Sequence, residues 1–264
     1  MHNQQHSQQP NQQHSQQHSQ QHSQQHSQQP NQQHSQQHSQ QHSRQHSHQH
    51  SQQHSQQHSQ QQDAPLEYYL AKFRALDPEE ASKRTGLPFD PLRSCYNLTV
   101  LGQTLHVNWP NSEITPEDLE NCPKILYNFE MRLIALQFLL TGAAAPHCGG
   151  FMAYRELPWG EVYDANFTGR CIKRFAHTFG NAPDRFIEAA ERLGGSKLGL
   201  GDVSYDLPFL GGVICRLILW TPDDEFPPSA QILFSDNTQL SFNAEALAGV
   251  GDIVIGALIE SSKR

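Results

Sequence analysis

VICRLILWTPDDEFPPSAQILF, residues 213–234, decides the fold. Val213 to Trp220 is apolar on both faces of an extended chain, the pattern of a strand covered on both sides and therefore central in its sheet. Ile232 to Phe234 reads as its partner across one short acidic connection, and Val203 to Leu207 as a further strand. Working outward, Phe186, Ile187, Ala190 and Leu193 keep helical spacing up to Gly194-Gly195, and Phe167, Cys171, Phe175 and Phe179 do so up to Gly180, which predicts two helices in tandem. Pro123 to Leu140 reads as the longest helix, with Ile125, Leu126, Phe129, Leu133, Leu136 and Leu140 on one broad apolar face and Gly142 as its stop. The last helix carries Leu247, Val250, Val254 and Leu258 behind the cap Asn243, although Gly249, Gly251 and Gly256 should each weaken it by about 1 kcal/mol.

Toward the amino terminus, Leu66, Tyr69, Leu70, Phe73 and Leu76 share one helical face. A short helix follows, capped by Asp77, opened by Pro78 and stopped by Gly86. Tyr96 to Trp109 alternates as a hairpin around Gly102-Gln103, with His106 on the face opposite Leu105. Residues 151–167 are too interrupted for a clean helix or strand. Because helices and strands segregate without βαβ alternation, the expected class is α+β: helices packed on a mainly antiparallel sheet in one domain, residues 63–264.

The chain has 264 residues, and its first 62 are a different polymer. Gln-Gln-His-Ser recurs from Gln4 to about Gln61, Gln-Gln-Pro-Asn replaces it at residues 8–11 and 28–31, and Met1 is the only apolar side chain. Such a segment cannot offset the entropy of ordering, so a disordered tail is expected. It holds 14 of the 17 histidines, enough for weak, adventitious binding of zinc, nickel or copper, as any His tag shows. Removing Arg44 from the count leaves 17 Lys and Arg against 26 Asp and Glu, a net charge of about −9 for the remainder, which argues against nucleic-acid or anionic-membrane partners. Cys95, Cys122, Cys148, Cys171 and Cys215 have no zinc or iron–sulfur spacing and read as buried thiols of a reducing compartment. With no apolar segment at the start and none long enough to span a bilayer, the cytoplasm is the expected location.

Five stretches carry a resemblance: LDPEEASKRTGL (76–87), LGQTLHVNWPNSEI (101–114), RELPWGEVYDANF (155–167), RFIEAAERLGG (185–195) and ILWTPDDEFPPSAQILFSD (218–236). In this order they resemble the bacterial and archaeal domain-of-unknown-function family 3786, over residues of about 66–260. The resemblance implies a fold and no activity. Some relatives carry an additional iron–sulfur-type cysteine cluster, but this chain lacks a four-cysteine motif, so that role does not carry over.

Two loops concentrate the chemistry. Asp223, Asp224 and Glu225 adjoin in the strand connection, with Ser229 and Asp236 close in sequence, and three neighbouring carboxylates repel unless solvated, capped or neutralised. That leaves open an acidic turn fixed by Pro227 and Pro228, a hard-cation site, or a catalytic acid. Arg155 and Glu156 stand near Trp159, Glu161, Tyr163 and Asp164, which suits either a polar handle on an aromatic pocket wall or a loop pinned by its own ion pair. If the loops meet, Arg155, Glu156, Trp159, Asp224, Glu225, Ser229 and Asp236 surround a ligand pocket. The leading expectation is a small-molecule or cofactor-binding accessory protein. The alternatives are a metal-assisted enzyme using the Asp223–Asp236 acids and a structural or interaction protein with a His-rich metal-binding tail. His147-Cys148 lacks an adjacent orienting acid, and Gly199-Leu-Gly201 precedes its strand, so neither reads as a nucleophile site or a dinucleotide loop.

Overall fold

Two consecutive left-handed residues, Leu101 (φ 49°) and Gly102 (φ 69°), close the amino-terminal hairpin in the computed structural model, which describes residues 66–264. The expected disorder of residues 1–62 lies outside the described residues. The hairpin joins β2 (Cys95–Val100) to β3 (Gln103–Asn108), and Val100 pairs with Gln103. The turn therefore sits one residue earlier than Gly102-Gln103, because a two-residue turn with positive φ at both centres matches the strand twist. Gly102 is needed there on a second count: a Cβ would lie 3.1 Å from the Leu193 backbone carbon. Flanked by β1 (Phe89–Asp90) and β4 (Ile114–Pro116), these strands form a four-stranded sheet in the order β1-β2-β3-β4. His106 holds Asn97 across the strands, Nδ1 to Oδ1, at 2.7 Å.

The second sheet has five strands in the order β5-β9-β8-β7-β6, every neighbouring pair antiparallel. They are β5 (Phe151–Ala153), β6 (Ser196–Leu198), β7 (Val203–Pro208), β8 (Ile214–Trp220) and β9 (Ser229–Ser235). The doubly apolar β8 is the middle strand, with Cys215, Leu217 and Leu219 fully buried. The described residues thus form an α+β fold with two antiparallel sheets.

Helix α1 covers residues 66–74, and α2 (Pro78–Thr85) begins where Asp77 accepts from the Glu79 and Glu80 amides and ends at left-handed Gly86. The long helix expected from Pro123 is divided. A single 3₁₀ turn, Lys124–Tyr127, precedes extended Asn128, whose side chain accepts from the Met131 amide and opens α3 (Phe129–Thr141). A cap inside an apolar run outweighs periodicity, because Asn satisfies an amide that a continuing helix would bond differently. Residues 154–179 are almost wholly helical: a 3₁₀ turn (Tyr154–Glu156), α4 (Gly160–Phe167), a π-helical turn (Thr168–Lys173) and α5 (Arg174–Phe179). After α6 (Pro183–Arg192) and α7 (Thr238–Ser241), α8 (Ala244–Ser261) closes the chain behind Asn243, which accepts from the Ala246 amide.

The glycines of α8 are close-approach positions. A Cβ on Gly251 would stand 2.6 Å from the Phe167 ring, and one on Gly256 would stand 2.2 Å from Ile125. Helix α8 therefore gives up propensity to let its neighbours approach its backbone. None of the described helices is long and apolar enough to cross a membrane.

Candidate ligand-binding groove

Helix α8 forms the floor of a groove whose walls are α3 and the α4–π segment. Ile134 of α3 meets Gly249, and Gly142 at the end of α3 meets the Ser241 carbonyl just before α8, so α3 runs antiparallel to α8; Ile125, in the 3₁₀ turn before α3, meets Gly256. Tyr154 fixes the opposite wall: its hydroxyl donates to the Ala244 carbonyl at 2.8 Å, and its ring stacks on Phe167 with centroids 4.2 Å apart. At the far end of that wall, Arg170 and Arg174 both reach Asp252 of α8, Arg174 at 2.7 Å, with a further bond from Arg174 to the Asp252 carbonyl at 3.0 Å. Asp252 is only 8% exposed, and a carboxylate so placed is tolerated because guanidinium groups meet it. The π turn adds a residue to this wall, and such turns often occur at functional sites.

The cavity measures about 580 Å³. Its apolar lining includes Leu133, Ile134, Phe167, Ala246, Ala248 and Gly249, with Glu130 and Arg170 at one end and Gln137, Tyr163 and Glu245 toward the other. Residues 130 to 137 of α3 and 163 to 170 of the opposite wall each span roughly 10 Å at 1.5 Å per residue. Gln137 donates Nε2 to the Tyr69 hydroxyl at 3.0 Å, while its Oε1 is buried without a partner among the described residues. Cys171 also lines the groove; burial above all, and Asp252 next, pushes its thiol up to about 12, so it packs as an apolar group and not as a thiolate.

The residues singled out in the two loops are not brought into one pocket. Arg155 pairs with Asp164 at 3.6 Å, and the Glu156 carboxylate accepts from the Ala153 amide at 2.6 Å, which pins the end of β5. Asp223 accepts from the Glu225 and Phe226 amides at 2.9 and 2.7 Å, a self-capped turn that leaves Asp224 and Glu225 exposed. Ser229 opens β9 and Asp236 follows its last residue, so they are separated by roughly 23 Å of extended chain. None of this set lines the groove; Trp159 borders a separate, smaller cavity of about 210 Å³ beside Phe242 and Leu247.

Asp236 takes a structural part. It accepts from the Cys148 amide at 2.9 Å and the Gly150 amide at 3.0 Å. The Cys148 bond above all, helped by the Gly150 bond and nearby His147, holds its carboxyl below the usual aspartate range despite some desolvation. Asp236 is also the acid near His147 that the local sequence lacks, with Oδ1 3.9 Å from Nδ1. Yet Nδ1 accepts from the Gly149 amide at 2.9 Å, so the ring proton resides on Nε2, opposite to a base oriented through Nδ1–H. Among the described residues, no group of three or more His, Cys, Asp or Glu is placed to hold a metal ion.

The chain belongs to the family described as Domain of unknown function (DUF3786), whose model matches residues 77–257. That span runs from the capping Asp77 into α8 and contains every groove residue. Among curated proteins and solved structures, nothing matches the chain.

Sequence reasoning missed the groove because its residues come from three helices far apart in the chain. One signal was present: Gly249 and Gly251, two costly residues within an apolar helix, mark where a neighbouring surface comes close or a space is kept.

Proposed function

We propose that this protein is a binding domain and that the α3–α4–α8 groove holds a small organic molecule with an apolar body and polar ends. The observation that carries the reading is the cavity itself: about 580 Å³ of mainly apolar helix face, with hydrogen-bonding and charged groups toward its ends. Ligand sites commonly enclose roughly 300–1,000 Å³ with this division of lining. Binding is favoured over catalysis because Arg170 is engaged with Asp252 and Cys171 is raised out of reactivity, while the carboxylates Glu130 and Glu245 stand toward opposite ends of the groove and form no pair that could work together. Of Arg155, Glu156, Trp159, Asp224, Glu225, Ser229 and Asp236, none lines the groove, and a metal-assisted reaction at the Asp223–Asp236 acids lacks comparable support. We place the protein in the cytoplasm, a reading supported by its five free cysteines.

Gly249→Leu puts a side chain into the groove beside Ile134, where a Cβ would lie 3.2 Å from Cδ1. The wild-type full chain, screened by native mass spectrometry and thermal shift against a panel of amphipathic metabolites, should retain and be stabilised by at least one. Gly249→Leu should fold and lose that response. A panel without a hit, or a hit unchanged in Gly249→Leu, would overturn the reading.

A further inference from the structure

Gln137 Oε1, Arg174 Nε and Thr238 Oγ1 are buried without a hydrogen-bond partner among the described residues, and of these three residues only Gln137 lines the groove. The other atom of its amide is engaged, since Nε2 donates to the Tyr69 hydroxyl. What the groove offers at this point is therefore an acceptor, and a buried acceptor gains most from a ligand that brings a donor.

The charge beside it is fixed by the helix pairing. Ile134 faces Gly249 and Gly142 faces the Ser241 carbonyl, so in this antiparallel pair Gln137 falls opposite Ala246, next to Glu245. Glu245 lines the groove as an exposed residue and forms no ion pair among the described residues. Two cations lie within reach of comparison. Lys72 borders the adjoining cavity and not the groove, and its ammonium donates to the Tyr68 hydroxyl at 2.5 Å and stands 4.3 Å over that ring. Arg170, the one basic residue of the lining, is held by Asp252 at the far end, where Glu130 adds a further carboxylate. The end at Gln137 thus carries an unpaired acid beside an unpaired acceptor.

The geometry points to a primary amine as the ligand of this groove: its ammonium donates to Gln137 Oε1 and meets the Glu245 carboxylate, and its hydrocarbon body lies along Ile134, Phe167 and Gly249. This rests on the groove being a binding site. An ammonium has three donors and no acceptor, so it serves both oxygens at once. A hydroxyl serves the amide oxygen but brings no charge to Glu245, and a carboxylate serves neither and is repelled. The amino end of α8 favours an acid in its first turn, which accounts for Glu245 by itself but leaves the Gln137 acceptor unexplained.

The test titrates the full chain calorimetrically with octylamine, octanol and octanoate, which share one hydrocarbon body. Octylamine should bind about fivefold more tightly than octanol, the gain expected of an exposed ion pair, and octanoate most weakly. Glu245→Gln should remove that fivefold advantage and leave octanol unchanged, whereas Gln137→Leu should weaken octylamine and octanol alike, by about tenfold. Gly249→Leu should abolish binding of all three. The amine inference is overturned, with the groove left standing, if octanoate or octanol binds as tightly as octylamine and Gly249→Leu abolishes that binding, if Glu245→Gln leaves octylamine unchanged, or if none of the three binds while another amphipathic metabolite does so in a manner sensitive to Gly249→Leu. Octylamine binding that survives Gly249→Leu would sink both the inference and the groove.

Discussion

The acidic connection between β8 and β9 and the helical groove around α8 are, residue for residue, the richest and the plainest chemistry in the described chain. Three adjacent carboxylates stand in the first, and alanine, glycine, leucine and isoleucine make up much of the second. The fold reverses their rank as candidate sites. Asp223 uses its carboxylate to cap its own turn, and its neighbours point into water. The apolar helices enclose a cavity because small residues at 246, 248 and 249 leave room between α3 and the α4–π wall. Reactive residue types mark a site only where the fold supplies concavity; a convex turn leaves them solvated, and solvation screens their interactions.

Four substitutions test that contrast, beginning with the strongest effect. Leu136→Ala, at a fully buried position of α3, should cost about 2–5 kcal/mol through the cavity it opens, read as a lower midpoint in urea unfolding. An unchanged midpoint would mean that α3 does not pack as described. Asp252→Ala removes the carboxylate that Arg170 and Arg174 share. A loss of about 2–3 kcal/mol is expected, below the roughly 3–5 of a fully buried pair because both guanidinium groups keep partial contact with water. If stability fell by less than the error of measurement, the wall would be held by packing alone.

Asp236→Asn should show itself in the pH dependence. A carboxyl held below its unfolded value contributes stability above the ordinary aspartate range, and that contribution is lost as pH falls through the lower folded value. The variant should therefore unfold more easily than wild type near neutral pH and converge with it in acid. Parallel curves at every pH would show that the Cys148 and Gly150 amides gain nothing from the charge. Asp224→Asn should change stability by less than about 0.5 kcal/mol, as for an exposed side chain without a partner. A large effect there would restore the acidic connection as a site.

Much of the fold was legible wherever one local signal dominated. Asp77 and Gly86 bound α2, Asn243 opens α8, and the doubly apolar run at 214–220 is the middle strand. Legibility failed where signals competed. Asn128 interrupts an apolar periodicity that extends past it, and the hairpin turn uses Leu101, a residue whose left-handed backbone no propensity favours. It failed also in residues 151–167, where β5, a 3₁₀ turn and the start of α4 follow one another in segments too short to show a period.

The sequence by itself determined the α+β class, the antiparallel sheet around β8, the caps of α2 and α8, and the family, because these rest on periodicities, capping residues and motifs that lie within a few residues of one another. Only the tertiary structure decided where binding is supported. Gln137, Arg170, Glu245 and Gly249 become neighbours through the packing of α3, the α4–π segment and α8, and Trp159 becomes an exposed, strained side chain through the backbone on which it sits. Local physics writes elements, but a cavity is a property of the space between them.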